Sequence, residues 1–350
     1  MSVTPALPQA SPAAPGLQAL HPGNFALVMA TGIVSIGFTL LGWPLLADLM
    51  ALLALGAWLL LLALSALRAL RYGAAVRIDL LNPRMVFSYF TLVAATDIVG
   101  VLLHARGHVA LALGCWALAF AAWSLLLYLA FSVLTFLTHE HNINIVHGGW
   151  LIAIVGTQSL VILGARVAPD LGEWGGYMMV EVHMLWGLGL VFYGIFVTLF
   201  CHRIFFSTLR PLDVGPLLWV VMGAAAISAN AGTSLLTADP VLPFLAAQRP
   251  FVDGVTLICW AWATWWIPML VIFGVWKHGA NRVPLSYEPV MWSMVFPLGM
   301  YAVASARLGL AADFPPLQWI SRAMIWVALL AWLGVASGLL RRLAALARAR

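Results

Sequence analysis

Residues 293–305 read SMVFPLGMYAVAS, and residues 51–67 read ALLALGAWLLLLALSAL. Both stretches are apolar, but the first carries proline, glycine and hydroxyl side chains, whereas the second is almost entirely leucine and alanine. Small residues let membrane helices approach closely, and hydroxyl groups are costly against lipid. The contrast predicts that the first stretch faces protein or water and that the second faces lipid.

The composition of the whole chain is that of a membrane protein. Of its 350 residues, 63% are hydrophobic and only 8% are charged. Long apolar stretches indicate membrane spans, and these must be helices because lipid offers backbone groups no partners. We predict ten transmembrane helices, near residues 24–42, 45–70, 85–105, 109–134, 149–167, 177–201, 214–236, 252–276, 289–308 and 317–340.

The same contrast separates alternate spans along the chain. Small and polar residues recur in the odd spans, as in MATGIVSIG, SYFTLVAATDIVG, AIVGTQSLVILG and MGAAAISANAGTSLL, whereas the even spans are rich in Leu and Trp. This alternation predicts an all-α polytopic protein of five helical hairpins, arranged in a quasi-fivefold ring with the odd helices around a central pore. The predicted organisation is a disordered cytoplasmic tail over 1–22, a transport domain over 23–342 and a basic cytoplasmic tail over 343–350.

The distribution of positive charge predicts the orientation. Most of the 17 Lys and Arg residues fall in segments on the same side as the N-terminus, which favours cytoplasmic termini in a multi-pass protein of the cytoplasmic (inner) membrane. The first 23 residues lack the positive region of a signal peptide, so the first span is expected to be retained.

Three odd spans end on Ala-Arg, at Arg106, Arg166 and Arg307. These arginines are expected at the outer face, where they can form a basic collar that concentrates anions at a pore mouth. The alternative is that each side chain extends separately to lipid headgroups.

Phe296 lies eleven residues before Arg307. This spacing places both residues on one helix face, about 16 Å apart along the axis, so Phe296 is predicted near mid-membrane on the pore face. The matching positions below Arg106 and Arg166 are Ala95 and Val155, which are smaller, so Phe296 is a candidate pore gate. The alternative is ordinary helix packing.

Pro297 and Gly299 interrupt the same apolar run. A helix break at Pro297 would begin a half-helix whose free N–H groups can meet an anion. Pro297, Gly299, Gly32 and Gly156 are therefore candidate pore-lining or kink positions, and a tolerated packing kink is the alternative.

Asp97 is an acidic residue well inside a span, and such residues are candidate proton carriers. It lies nine residues before Arg106, about 180° round the helix. If Arg106 faces the pore, Asp97 faces away from it and has a structural role.

Other classes of function have weaker support in the residues. A membrane-bound haem or quinone redox protein would use His104, His183 and His202 as ligands, and the loop THEHNINIVHGG holds His139, His141 and His147, but no metal-binding motif accompanies either set. The three cysteines lie in separate apolar runs, without CxxC or CxxCH. We expect no enzyme activity, no cofactor, no bound metal and no nucleic-acid partner.

Three segments carry a resemblance to a known family. HPGNFALVMATGIVSIG, TLICWAWATWWIPMLVIFGVWKH and PVMWSMVFPLGMYAVAS resemble the first, eighth and ninth spans of the tellurite-resistance/dicarboxylate transporter family. This family includes a bacterial tellurite-resistance protein, yeast malate and sulfite transporters and the plant slow anion channel. The resemblance extends from about His21 to about Arg342.

The resemblance implies a ring of five hairpins around a pore, a homotrimer in which each protomer has its own pore, and occlusion of that pore by the phenylalanine at position 296. The expected substrate is a small anion, either a C4-dicarboxylate such as malate or an inorganic anion such as sulfite, nitrate or chloride. A proton-coupled dicarboxylate symporter that uses Asp97 is the alternative.

Overall fold

A computed structural model of the protein describes residues 16–137, 146–238 and 242–348, and these ranges contain helices and no strand. Most of the predicted N-terminal tail, together with His139 and His141, lies outside the described residues. The α-helices are α1 Ala26–Leu40, α2 Pro44–Arg71, α3 Gly73–Leu80, α4 Phe90–His104, α5 Val109–Ser132, α6 Ile152–Val167, α7 Gly175–Phe206, α8 Val220–Thr237, α9 Pro243–Ala246, α10 Arg249–Gly274, α11 Trp292–Ala311 and α12 Pro315–Arg348.

Within the described ranges, 9 segments are long and apolar enough to cross a membrane, whereas the sequence predicted ten. One of them, Gly148–Phe206, contains both α6 and α7. The two helices are joined by the 3₁₀ segment Ala168–Trp174, in which Gly172 has φ +55°, a conformation that glycine adopts without steric cost. Helical structure continues through this corner, so the two predicted spans are counted as one segment.

The long helices differ in burial as the sequence contrast predicts. In the most apolar part of the segment that contains α8, 89% of the residues are buried, whereas in the most apolar part of the segment that contains α12 only 17% of the residues are buried. We call α1, α4, α6, α8 and α11 the core helices, and α2, α5, α7, α10 and α12 the peripheral helices. Every residue of α6 except Arg166 is buried, whereas leucines such as Leu52 and Leu125 of the peripheral helices are exposed.

Helix contacts follow the chain order. Each core helix packs against the peripheral helix that comes next among the long helices, α1 with α2 and so on to α11 with α12. Among the core helices, α1 contacts α4 and α11, α6 contacts α4 and α8, and α8 contacts α11.

At least one tryptophan from each peripheral helix donates a hydrogen bond to a second core helix. Five of these indole bonds, one from each peripheral helix, are Trp58 to Thr96 Oγ1 (3.1 Å), Trp123 to Thr157 Oγ1 (2.8 Å), Trp186 to the Ser228 carbonyl (3.1 Å), Trp260 to Ser305 Oγ (2.9 Å) and Trp332 to Thr31 Oγ1 (2.9 Å). Each peripheral helix is therefore tied to two core helices, and α12 is tied to α1.

A short 3₁₀ turn precedes every core helix. These turns are Pro22–Phe25, Val86–Tyr89, Gly148–Leu151, Pro216–Trp219 and Pro289–Met291. Three begin with proline, which needs no N–H partner at a helix start. Histidine side chains cap two of the five turns: Nδ1 of His21 accepts from Gly23 N (2.9 Å) at the turn that begins with Pro22, and Nδ1 of His147 accepts from Gly149 N (3.1 Å) at the turn that begins with Gly148.

Candidate functional site: a cavity between the core helices

A cavity of about 70 Å³ lies between the core helices, and all five contribute to its lining. It lies toward the ends of these helices, where the three Ala-Arg pairs were predicted. Most of the lining is apolar. Its polar members are Asp97 of α4, Ser159 and Arg166 of α6, Asn230 of α8 and Arg307 of α11.

Arg307 is anchored by neutral groups. Its Nη1 donates to Asn230 Oδ1 (3.1 Å) and to Ser234 Oγ (3.0 Å), both on α8. The amide nitrogen of Asn230 is directed to Met300 Sδ at 3.6 Å. Among the ion pairs of the described residues, none includes Arg307. A cation that lines a mostly apolar cavity without a carboxylate partner favours the entry of an anion.

Arg166 lines the same cavity and is held by a histidine. Its Nε lies 3.3 Å from His104 Nδ1 at the end of α4, and His104 Nε2 lies 2.7 Å from Asp170 Oδ2. Arginine can only donate, so Nδ1 accepts and Nε2–H donates to the carboxylate. The chain of bonds fixes the imidazole tautomer and holds Arg166 beside the cavity.

Asp97 also lines the cavity, whereas the sequence placed it on the opposite face from the pore. Its side chain is buried, and its Oδ2 lies 2.6 Å from Ser159 Oγ. Its Oδ1 is buried without a hydrogen-bond partner. The expectation depended on Arg106 as the pore-facing residue of α4, and the structure places Arg106 elsewhere.

Arg106 does not line the cavity. Its guanidinium donates to the Leu102 carbonyl (3.0 Å) and pairs with Asp48 of α2 at 2.5 Å. The cavity therefore brings Arg166 and Arg307 together and leaves the third arginine of the predicted collar on the outside of α4.

Phe296 is buried, with 3% of its surface exposed. Residues three, four and seven positions apart share a helix face, and α11 lines the cavity with Met300, Val303 and Arg307. Phe296 therefore lies one turn before the lining residue Met300, on the cavity face.

Pro297 lies inside α11, which is continuous from Trp292 to Ala311. The expectation of a new half-helix at Pro297 is therefore wrong: the proline removes one backbone donor, and the neighbouring turns continue the helix. The ring packs against α8 instead, because a Cβ added to Gly223 would lie 2.8 Å from Pro297 Cγ.

The three candidate glycines lie where core helices approach each other. An added Cβ would lie 2.3 Å from Ile98 at Gly32, 2.6 Å from Ile33 at Gly299 and 3.2 Å from Phe90 at Gly156. The structure thus places them in the contacts α1–α4, α11–α1 and α6–α4 rather than in the cavity lining.

The histidines of the redox alternative are far apart. His183 and His202 both lie in α7, and nineteen residues of helix separate them by about 28 Å. The Nδ1 atom of His183 lies 2.6 Å from the Met179 carbonyl, and His104 is bonded to Arg166 and Asp170. These positions do not converge on one iron.

Sequence reasoning missed Ser159, Asn230 and Ser234 as site residues. The sequence does contain a signal for them: the polar side chains in GTQS and SANAGTS are costly inside a membrane span, which marks them as candidate site residues. Which of these side chains would meet Asp97 or Arg307 depends on helix rotation, and the local pattern does not determine that rotation.

Known proteins match the chain over much of its length. The model of the SLAC1 family, described as voltage-dependent anion channels, matches residues 19–340. An uncharacterized membrane protein of Mycobacterium tuberculosis is 43% identical over 143 residues, which are 41% of this chain and 72% of that protein. An uncharacterized transporter of Methanocaldococcus jannaschii is 23% identical over 317 residues, which are 88% of this chain and 90% of that protein.

The family match covers most of the chain and confirms the resemblance seen in the sequence. The family consists of transporters and channels for anions, and the relatives are called membrane proteins and a transporter. The chain is a multi-pass membrane protein that belongs to the SLAC1 family of voltage-dependent anion channels.

Proposed function

We propose that the protein conducts small anions across the membrane through a pore on the axis of the five core helices. Arg307 carries this proposal, because it is a cation in a mostly apolar cavity and its hydrogen-bond partners, Asn230 and Ser234, are neutral. Candidate substrates are C4-dicarboxylates such as malate and small inorganic anions such as sulfite, nitrate and chloride.

The pore requires a closed ring of ten spans. The contacts of α1 with α4 and α11, and of α6 and α8 between them, support a cyclic order of the core helices. The segment Gly148–Phe206 has 59 residues, and a helix of that length would extend about 90 Å, roughly three times the hydrocarbon core. Counting it as two crossings gives ten helices, paired as five hairpins.

Phe296 is the proposed constriction of this pore. It lies one turn below the cavity floor on the face that carries Met300 and Arg307. The corresponding position one turn below Ser159 of α6 is Val155, and the α8 residue that contacts Pro297 is Gly223. Both of these neighbours are smaller than phenylalanine, so the Phe296 ring is the bulkiest of the three side chains.

The experiment is anion flux into liposomes that contain the purified protein. Arg307→Gln should lower the initial rate for every anion, most strongly at low ionic strength, because it removes the cavity cation. Arg106→Gln is the matched control, since Arg106 also follows Ala at the end of a core helix but lies outside the cavity. Equal rates for wild type and Arg307→Gln would contradict the proposal.

The gate is tested separately in the same liposomes. Phe296→Ala should raise the flux by widening the constriction, whereas Phe38→Ala, at a buried position of α1 in contact with Trp326 of the periphery, should not. Unchanged flux of the Phe296 variant across all tested anions would exclude it as the gate.

Proton-coupled symport is the second candidate function, and the observation that favours it is the presence of Asp97 in the cavity lining. A symporter would accumulate anions when an inward proton gradient is imposed, and Asp97→Asn would abolish this accumulation while exchange without a gradient continued. A channel would show no accumulation driven by protons in either protein.

Assembly and orientation are proposed from the family resemblance and the charge pattern. We expect a homotrimer in the cytoplasmic membrane, with one pore in each protomer. Native mass spectrometry of the detergent-solubilised protein measures the subunit number, and a monomer retaining full flux would contradict the trimer as the working unit.

A further inference from the structure

The Ser159 hydroxyl group lies within hydrogen-bonding distance of two acceptors but can donate only one hydrogen bond. Its Oγ lies 2.6 Å from Asp97 Oδ2 and 2.8 Å from the Gly156 carbonyl oxygen. A hydroxyl group has a single donor hydrogen. Both contacts are satisfied when Asp97 carries a proton on Oδ2 and donates it to Ser159, which in turn donates to Gly156. Asp97 is then a neutral carboxylic acid, and its carbonyl oxygen is Oδ1.

The Oδ1 atom of Asp97 lacks a partner. It is buried and forms no hydrogen bond with any described residue, although Asp97 lines the cavity. With the proton on Oδ2, Oδ1 can only accept a hydrogen bond. A buried acceptor left without a donor is unfavourable, so a ligand that brings a donor to this end of the cavity is favoured.

The rest of the polar lining requires the opposite chemistry. Arg307 and Arg166 line the same cavity and can only donate. Asn230 has both ends of its amide engaged, by Arg307 and by Met300. A complementary ligand therefore carries negatively charged oxygens for the arginines and one O–H group for Asp97.

The volume of the cavity limits the size of this ligand. About 70 Å³ is available, whereas on the same scale a single water molecule needs about 10–15 Å³ and a cavity of about 150 Å³ holds benzene. A central atom with three oxygens is of the right size. A C4-dicarboxylate is larger and fits this volume less well.

We propose that this cavity is a binding site for small oxyanions that carry a hydroxyl group, such as hydrogencarbonate or hydrogenselenite. Their O–H donates to Asp97 Oδ1, and their charged oxygens accept from Arg307 and Arg166. The inference rests on the proposed function, since it defines the anion class that the same pore selects. Nitrate, iodate and chloride have no hydrogen to offer to Asp97.

Two pairs of anions isolate the contribution of the hydroxyl group. Hydrogencarbonate and nitrate are both planar monoanions with three oxygens, and hydrogenselenite and iodate are both pyramidal. Calorimetric titration of the full-length detergent-purified protein with each anion, at a pH where the monoanions predominate, measures the four dissociation constants. We expect the hydroxylated member of each pair to bind about tenfold more tightly, which is the size of one hydrogen bond to a buried acceptor.

Two substitutions at Asp97 test the role of Oδ1. Asp97→Leu has a similar shape without an acceptor, so the ratio of dissociation constants within each pair should fall to about one. Asp97→Asn should keep the preference, because the amide N–H₂ can donate to Ser159 and the amide oxygen takes the place of Oδ1. Iodate binding by the Leu variant shows that its cavity has folded.

The outcomes separate this inference from the proposed function. Equal affinities within both pairs for the wild-type protein would overturn the inference alone, and so would a preference that persists in Asp97→Leu. Absence of binding for all four anions, with no anion flux, would overturn the proposed function as well. A tenfold preference that is lost in the Leu variant and kept in the Asn variant supports the inference.

Discussion

Arg166 owes its position to a chain of two hydrogen bonds at the ends of α4 and α6. Its Nε donates to His104 Nδ1, and His104 Nε2 donates to Asp170. The hydrogen bond between His104 and Asp170 is partly exposed, with 19% and 35% of the two side chains accessible. A pair of this kind contributes little to stability, so its effect should be visible in the position of the arginine rather than in the fold.

Replacing Asp170 tests this positioning role. Asp170→Asn weakens the acceptor that orients the imidazole, so Arg166 is held less firmly beside the cavity and the anion uptake rate should fall severalfold at low salt. Glu173→Gln removes the same negative charge from an exposed site in the same 3₁₀ segment, and on electrostatic grounds alone it should leave the rate equal or slightly higher. If both variants change uptake in the same direction and by the same factor, Asp170 acts only through its charge.

His147 gives a prediction for pH dependence. Burial, followed by the positive charges of Arg203 and Arg84, lowers the pKa of His147 from 6.5 to about 4. Between these two values the unfolded chain binds a proton at this residue and the folded protein does not. Stability is therefore fully retained above pH 6.5 and decreases as the pH falls toward 4, by up to about 3 kcal/mol.

His147→Asn should reduce this loss of stability in acid. Asparagine is also a good capping residue, so the 3₁₀ turn at Gly148 keeps a side-chain acceptor while the titrating group is removed. Thermal unfolding in detergent, measured above and within the pH window, compares wild type with the variant. His21, whose pKa burial also lowers, should leave a residual slope, and His108→Asn at an exposed position is the control.

At the scale of helices, the tryptophans of the periphery determine how neighbouring hairpins are joined. Trp332 of α12 donates to Thr31 of α1 at 2.9 Å, and interhelical hydrogen bonds in membrane proteins contribute on average about 0.6 kcal/mol and at most about 1.7 kcal/mol. Each bond contributes a modest free energy, but a bond of this kind joins a peripheral helix to a second core helix in all five hairpins.

Trp332→Phe should destabilise the protein by about 1 kcal/mol, plus the packing lost with the larger ring. Trp319→Phe is the matched control, because Trp319 lies on the same helix with 65% of its surface exposed. Unfolding in a series of denaturing detergent mixtures measures both changes. Equal effects of the two substitutions would show that the indole bond contributes nothing.

The sequence predicted the helices and their environments well, because the alternation of small polar spans with Leu-rich spans depends only on composition. It also placed Phe296 on the same face as Arg307, since both residues lie on one helix. It misplaced Asp97 because Arg106 served as the reference for the pore face of α4, and that arginine pairs with Asp48, 58 positions earlier. Contacts between distant helices, such as the tryptophan bonds and the Ser159–Asp97 pair, depend on rotations that no single span determines.

For the molecule as a whole, the charge pattern predicts which end of the bundle faces the cytoplasm. The 3₁₀ turns that begin the core helices lie at the predicted inner end, and Arg166 and Arg307 lie at the opposite end. Cysteine labelling with an impermeant reagent in intact cells tests this orientation. A cysteine introduced at Glu173 should react from outside, and one introduced at Arg348 should react only after the membrane is permeabilised. The reverse pattern would invert the proposed topology.

The bond between Trp332 and Thr31 joins residues that are 301 positions apart. During synthesis α1 enters the bilayer long before α12. The polar face of α1 therefore lacks its hydrogen-bond donor from α12 until almost the whole chain has been made. A premature stop codon within α12 would therefore damage the beginning of the protein as well as its end. Mutations that truncate the last helix should be as harmful to the cell's supply of working transporter as those near the start of the gene.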